Sequence, residues 1–228
     1  MTRDEAALPL RSLNAAEWDR TYDSTVVGWD EEPHPALGEL LAEHAPPPAH
    51  VLDVGCGLGT TARWLADRSY TVTACDFSAQ AIKEARRRAP AGSAVSYEVL
   101  DVKGHVPLDP FPVVLDRGVL HTCPTHRERR TFAESMARLC RPGGLWVHVG
   151  AAALDEEDAL DQSRGPSWTT EETFLDAVSP WFTVLDRRIA DFGRRTGVTD
   201  WPARYVVLRR SETFTTRERP HISPQDDS

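Results

Sequence analysis

Val51-Leu52-Asp53-Val54-Gly55-Cys56-Gly57-Leu58-Gly59-Thr60 is the stretch around which the chain is organised. Val51, Leu52 and Val54 are apolar and mostly β-branched, as suits a parallel strand covered on both faces. Gly55, Gly57 and Gly59 follow at alternate positions. Lacking Cβ atoms, they let the backbone take positive φ and bring bare amides close to a ligand. The helix predicted to open at Thr60 points its N-terminal donors the same way. A small-molecule site is expected at this turn, the alternative being a tight turn that binds nothing.

The spacing narrows the ligand. In the dinucleotide pattern G-x-G-x-x-G the third glycine would fall on Thr60, so the pyrophosphate fingerprint fails by one place. Asp53 stands two residues before the first glycine, where its carboxylate repels a pyrophosphate and attracts a cation. S-adenosylmethionine carries an ammonium and a sulfonium and no phosphate. Asp-x-Gly-x-Gly-x-Gly resembles motif I of class I S-adenosylmethionine-dependent methyltransferases, and further motifs of that family recur in order to about Gly150. The resemblance implies an α/β architecture: a Rossmann-like, seven-stranded, mostly parallel sheet with helices on both faces and a C-terminal antiparallel hairpin. It also implies S-adenosyl-L-methionine as cofactor, with Asp53, Gly55, Cys56, Gly57 and Gly59 around it.

With 228 residues the chain suits one α/β domain with a modest additional element. Residues 1–45 are expected to form a helical cover, 46–210 the main domain, and 211–228 a disordered tail rich in Thr, Arg, Pro and Asp. The formal net charge of −9 argues against binding a phosphate backbone, so no nucleic-acid partner is expected. Cys56, Cys75, Cys123 and Cys140 include no C-x-x-C pair, which favours reduced thiols over disulfides or zinc. His34, His44 and His50 have no carboxylate or cysteine partner in the sequence of the kind that suggests a metal site, and no metal is expected. Met1 to Leu10 lacks a leader-type apolar run and no stretch spans a membrane, which predicts a cytoplasmic protein, monomeric or homodimeric, with no membrane partner.

Before the glycine turn, Trp18 and Tyr22 share a helical face at i, i+4. Val27-Gly28-Trp29-Asp30 with Pro33-His34-Pro35 forms a broken loop in which Trp29 is hard to place in a core. Trp29 is therefore assigned to the cofactor mouth, under a cover that excludes water. Leu37, Leu40 and Leu41 make a helical stripe. After the turn, Tyr70 to Ala74 reads as a second strand ending in Cys75-Asp76-Phe77-Ser78. Asp76, about twenty residues past the glycines, is placed to accept ribose hydroxyls. Phe77 can stack on adenine, and Ser78 caps the next helix. A third strand, Val95 to Leu100, leads into Asp101-Val102. The family resemblance assigns Asp101 to the adenine amino group and the Val102 amide to the ring.

Phe111 to Asp116 is a strand rising beside the first, so Asp116-Arg117-Gly118-Val119-Leu120-His121 follows next to the transferable methyl. The run Asp-Arg-Gly-x-Leu resembles the thiopurine S-methyltransferase and thiol/halide methyltransferase group, as does the early Gly-Trp-Asp with a nearby His-Pro. Thr125 to Glu128 is a capping box opening a helix to Leu139, which Arg141-Pro142-Gly143-Gly144 ends before a strand from Leu145. Thr169 to Glu172 reads as a second box, and Phe182 to Arg188 with Ala203 to Arg209 as the hairpin.

Methyl transfer from a sulfonium is an in-line displacement that mainly demands alignment. Arg117, His121 and Asp116 are the candidate catalytic residues, with Asp116 also placed against the cofactor. Arg117 raises the thiolate fraction of a thiol acceptor, and His121 is placed to act as base toward a hydroxyl or amine. The expectation is a small-molecule methyltransferase acting on a thiol. O- or N-methylation in bacterial secondary metabolism and a non-catalytic nucleoside-binding module are the alternatives. His105, His126 and His148 are expected to be structural.

Overall fold

A computed structural model describes residues 14–23, 27, 30–104, 108–160, 168–193 and 202–212. Strands β1 (His50–Val54), β2 (Thr71–Asp76), β3 (Val95–Val99), β4 (Phe111–Arg117), β5 (Cys140–Ala151), β6 (Phe182–Asp191) and β7 (Pro202–Arg210) form one sheet in the order β3-β2-β1-β4-β5-β7-β6. The first five are parallel, and β7 runs antiparallel to both β5 and β6. This is the expected seven-stranded sheet with its C-terminal hairpin. Strand order reverses between β1 and β4, which makes their carboxyl ends the place where a cleft opens.

Each face of the sheet carries its own core. On one side lie helices α2 (Pro35–His44), α3 (Thr60–Ala66) and α4 (Ala79–Arg88), with Leu37, Leu40, Leu41, Leu65 and Ile82 packed on Val51, Leu115 and Val207. On the other lie α5 (His126–Leu139) and α7 (Glu171–Val178), which set Phe132, Met136 and Phe174 against Leu52, Val114 and Trp146. Burial on both sides explains why the central strands read as continuous apolar runs. Two short helices, α1 (Ala15–Asp23) and α6 (Glu156–Leu160), lie outside these cores.

Local chemistry sets most boundaries. Ser78 caps α4 by accepting from the Ala81 amide at 3.0 Å. Thr125 and Glu128 close the expected reciprocal box at α5. Two expectations need correction. Pro142-Gly143-Gly144 does not separate helix from strand. The strand already begins at Cys140, and β4 advances from Phe111 to Val113 while β5 advances from Cys140 to Leu145, so the turn residues form a bulge inside β5. The second cap is Thr170, which accepts from the Thr173 amide at 3.3 Å. Thr169 is instead held in a bridge to Ala152, and its carbonyl accepts from the Ala153 amide, which delays the helix by one residue. The tail expectation falls outside the described residues from position 213 onward, as does His105.

Thr125→Ala removes the α5 cap and should cost about 1 kcal/mol of unfolding free energy, read from urea denaturation. No measurable loss would show that the box carries no stability.

Candidate active site

The glycine turn has the strained form its composition called for. Gly55, Gly57 and Gly59 have φ of 66, 53 and 78°, and Gly59 is the residue before α3. A Cβ on Gly55 would lie 2.2 Å from Val119 Cγ2, and one on Gly59 2.9 Å from Tyr97. The turn therefore needs glycine for space as well as for φ. Cys56 lies within it, and burial beside Asp53 and Asp76 pushes its thiol well above the usual range, which removes it as a nucleophile.

Three carboxylates stand at the carboxyl ends of the central strands, and their environments differ. Asp53 is buried, and its Oδ2 has no hydrogen-bond partner. Desolvation raises its pKa to about 7; the Arg117 charge opposes the rise, and Asp76 and Asp116 add to it. Asp76 Oδ2 accepts from the Gly57 amide at 2.9 Å and Oδ1 from the Ser78 amide at 2.9 Å. Burial lifts it to about 6 despite those bonds. Ribose hydroxyls would thus share Asp76 with the glycine turn that it braces. Phe77 beside it is half-buried.

Asp116 is different. Its Oδ2 accepts from Trp146 Nε1 at 2.8 Å and lies 2.9 Å from His148 Nδ1, while Oδ1 accepts from the amides of Val119 and Leu120 at 3.3 and 3.2 Å. Four donors saturate a fully buried carboxylate, so it holds the turn after β4 in shape and has no lone pair left for cofactor or acceptor. Its expected place among the reacting groups is corrected on that ground. His148, stacked on Phe174 at 5.0 Å, belongs to the same buried network.

His121 also requires correction. Its Nδ1 accepts from the Ala151 amide at 3.2 Å, which leaves Nε2 as the protonated nitrogen. Burial, with His148 and Arg117 nearby, pushes its pKa down to about 3. The ring that faces the mouth is a neutral donor, not a base. Arg117 has its guanidinium 5.0 Å over the ring of Phe192, and its Nε is buried without a hydrogen-bond partner. It does not pair with Asp116. Phe192, just beyond β6, also lies 5.6 Å from His121. Nothing in the sequence pattern singled it out, because it follows an edge strand far along the chain.

Asp101 is exposed, and its Oδ1 accepts from the Lys103 amide at 2.9 Å, an ordinary turn bond. Val102 packs with Cys75 and Leu52 in the core under α5. Trp29 lies outside the described residues. Helix α1 approaches the turn: Asp19 Oδ1 accepts from Ser78 Oγ at 2.6 Å and the Gln80 amide at 3.2 Å, and Tyr22 Oη lies 3.0 Å from where a Cβ on Gly57 would sit. Trp18 and Tyr22 stack at 5.7 Å, as the i, i+4 spacing suggested. Asp30 bonds Thr60 Oγ1 and Arg88, the latter at 2.5 Å. Away from the cleft, the fold brings Glu43, His44 and Asp186 within ligand distance, a meeting the sequence did not reveal. Arg188 donates to both Glu43 oxygens at 2.8 and 2.7 Å, so the group is closed on its own cation.

The comparisons agree with this geometry. Residues 51–144 match a family model described as a methyltransferase domain. The 2-heptyl-1-hydroxyquinolin-4(1H)-one methyltransferase of Mycobacteroides abscessus is 27% identical over 68% of this chain and 67% of its own length. Residues 51–144 of the chain thus resemble a methyltransferase domain, and the relatives it matches are methyltransferases. A structure titled for conversion of a disulfide bond into a thioacetal group during echinomycin biosynthesis superposes with TM-score 0.73 at 24% identity, covering 88% of this chain and 93% of that one. The Burkholderia thailandensis 1,6-didemethyltoxoflavin N1-methyltransferase, solved with its substrate and S-adenosylhomocysteine, gives TM-score 0.66 at 20% identity over 86 and 87%. Other curated relatives are matched over 41 to 52% of their own length.

S-adenosylmethionine is the cofactor that the matched methyltransferase domain implies, and when bound it would supply an electrophilic methyl on a sulfonium. The orphaned Asp53 oxygen fits its ammonium, and the bare turn amides fit its polar edge. Since only ionised Asp53 attracts an ammonium, S-adenosylhomocysteine affinity should strengthen as pH rises through about 7 and be lost below it. Asp53→Asn should flatten that profile in calorimetric titrations. A flat wild-type profile would contradict the placement of Asp53.

Proposed function

We propose that the protein methylates a small molecule that reaches the site as an anion, and that the reacting atom is sulfur. The observation that carries this reading is the half-buried Arg117 cation, whose Nε has no partner, beside a neutral His121 whose Nδ1 is already taken by the Ala151 amide. A thiol, with an ordinary pKa of about 8.5, needs only a nearby positive charge to present its thiolate. The resemblance of Asp116-Arg117-Gly118-Val119-Leu120 to the thiol-methylating group points the same way. Arg117 orients the anion, His121 Nε2–H donates to it, and α1 with Tyr22 covers the glycine turn against water.

Oxygen is the second reading. The quinolinone methyltransferase relative is named for an acceptor bearing a hydroxyl, and another relative, 36% identical over 42% of this chain, is a ubiquinone biosynthesis O-methyltransferase. An acidic hydroxyl would use the same cation.

A mass-spectrometric screen for gain of one methyl group across thiols, acidic phenols and amines separates these outcomes. Products confined to thiols support sulfur, products from hydroxyls alone replace it with oxygen, and amines alone would sink the anion reading. Arg117→Ala should lower kcat/KM for the acceptor by about 100-fold, while S-adenosylhomocysteine affinity should be kept at alkaline pH, where Asp53 is ionised without its help. The limb of the pH–rate profile that rises with pH should follow the acceptor's own pKa, and His121→Gln should leave its position unchanged. A limb that disappears with His121 would restore it as the base.

A further inference from the structure

Asp53 is buried and Arg117 half-buried on adjacent strands, and each has a buried polar atom with no partner. Arg117 is the opposite charge acting on Asp53, yet no ion pair joins them among the described residues. Attraction between such groups is strong where water is scarce. Something must hold them apart.

The guanidinium rests instead on Phe192, in the segment after β6. The Phe192 ring lies under the guanidinium at 5.0 Å and against His121 at 5.6 Å. Its Cζ is 3.1 Å from where a Cβ on Gly118 would stand, so no larger residue at 118 leaves the ring in place. Behind it, the Gly193 backbone approaches Arg117, with Nη2 3.2 Å from the position of a Cβ. An aromatic face attracts a guanidinium without carrying a negative charge that would cancel it. Other groups stand near Arg117. Tyr205 Oη donates to the Asp191 carbonyl at 2.7 Å, Asp30 is taken by Thr60 and Arg88, and Glu31 Oε2 lies 4.0 Å from the same Gly193 Cβ position that Arg117 Nη2 approaches.

We propose that Phe192 is a positioning residue that holds Arg117 off Asp53, keeping the carboxylate available to the cofactor's ammonium and the guanidinium available to the acceptor. This rests on the proposed acceptor site. The groups facing Asp53 are Arg117 and Asp116 of β4, Asp76 and Cys75 of β2, Cys56 of its own turn and Tyr97 of β3. Those facing Arg117 are Asp53, Tyr205, Glu31, Asp30 and His121. Among the described residues, Arg117 is therefore the one cation acting on Asp53 and able to neutralise it when the ring is removed.

The test is calorimetric titration of the full chain with S-adenosylhomocysteine across about pH 5 to 9. In Phe192→Ala, Arg117 falls onto Asp53. The midpoint of the pH dependence should drop by about one unit or more, and affinity at the alkaline end should fall about tenfold. Phe192→Leu, which keeps bulk without a π face, should behave the same way, and carries the test where the alanine variant does not fold. Phe192→Trp should retain the wild-type midpoint. Adding Arg117→Ala to Phe192→Ala should return affinity to within about twofold of Arg117→Ala alone. An unchanged midpoint in both truncations, or a loss that removing Arg117 does not rescue, overturns the role of Phe192. Failure of the wild type to bind overturns the cofactor site itself, and binding without Arg117-dependent acceptor turnover overturns only the acceptor reading.

Discussion

The carboxylate of Asp116 is the constraint on which the site depends. A carboxylate removed from water is costly unless its lone pairs are met, and here four donors meet them. Two come from β5, through Trp146 and His148, and two from the amides that follow β4. The same group therefore fixes the spacing of two central strands at their carboxyl ends and the shape of the turn that projects Arg117, Gly118 and His121. His148, held by this bond, lies flat on Phe174 and so ties α7 to the sheet. The residue that looked most like part of the reacting machinery is the one that makes the machinery rigid.

Satisfaction of the neighbouring carboxylates falls off in a useful order. Asp116 is full, Asp76 accepts two backbone amides and retains capacity, and Asp53 keeps a buried oxygen with no donor. A ligand that brings cationic and hydroxyl donors would complete this series, and we propose that its cationic end meets Asp53 and its hydroxyls Asp76. Arg117 sits on the other side of the gap with the opposite deficit. The cleft thus holds separated charge, an arrangement suited to a cationic cofactor meeting an anionic acceptor with little reorganisation.

Much of this was legible in the residues. The alternating glycines, the apolar strands and the Ser78 and Thr125 caps depend on local chemistry, and the structure has them where the sequence placed them. Asp116 and His121 were found but given the wrong work, because a hydrogen-bond partner thirty residues away, such as Trp146 for Asp116 or the Ala151 amide for His121, leaves no mark on local pattern. Phe192 was missed for the same reason: it meets Arg117 only because β6, antiparallel to β7 as β7 is to β5, runs the same way as β4 and finishes at the same end of the sheet. The shift from Thr169 to Thr170 shows a long-range bridge overriding a good local cap.

The most direct measurement is a crystal structure of the full chain with S-adenosylhomocysteine bound. The ligand's amino group should lie within hydrogen-bond reach of Asp53 Oδ2, directly or through one water, its ribose hydroxyls should meet Asp76, and Arg117 should remain on Phe192. An amino group bound elsewhere, with Asp53 paired to Arg117, would contradict the account.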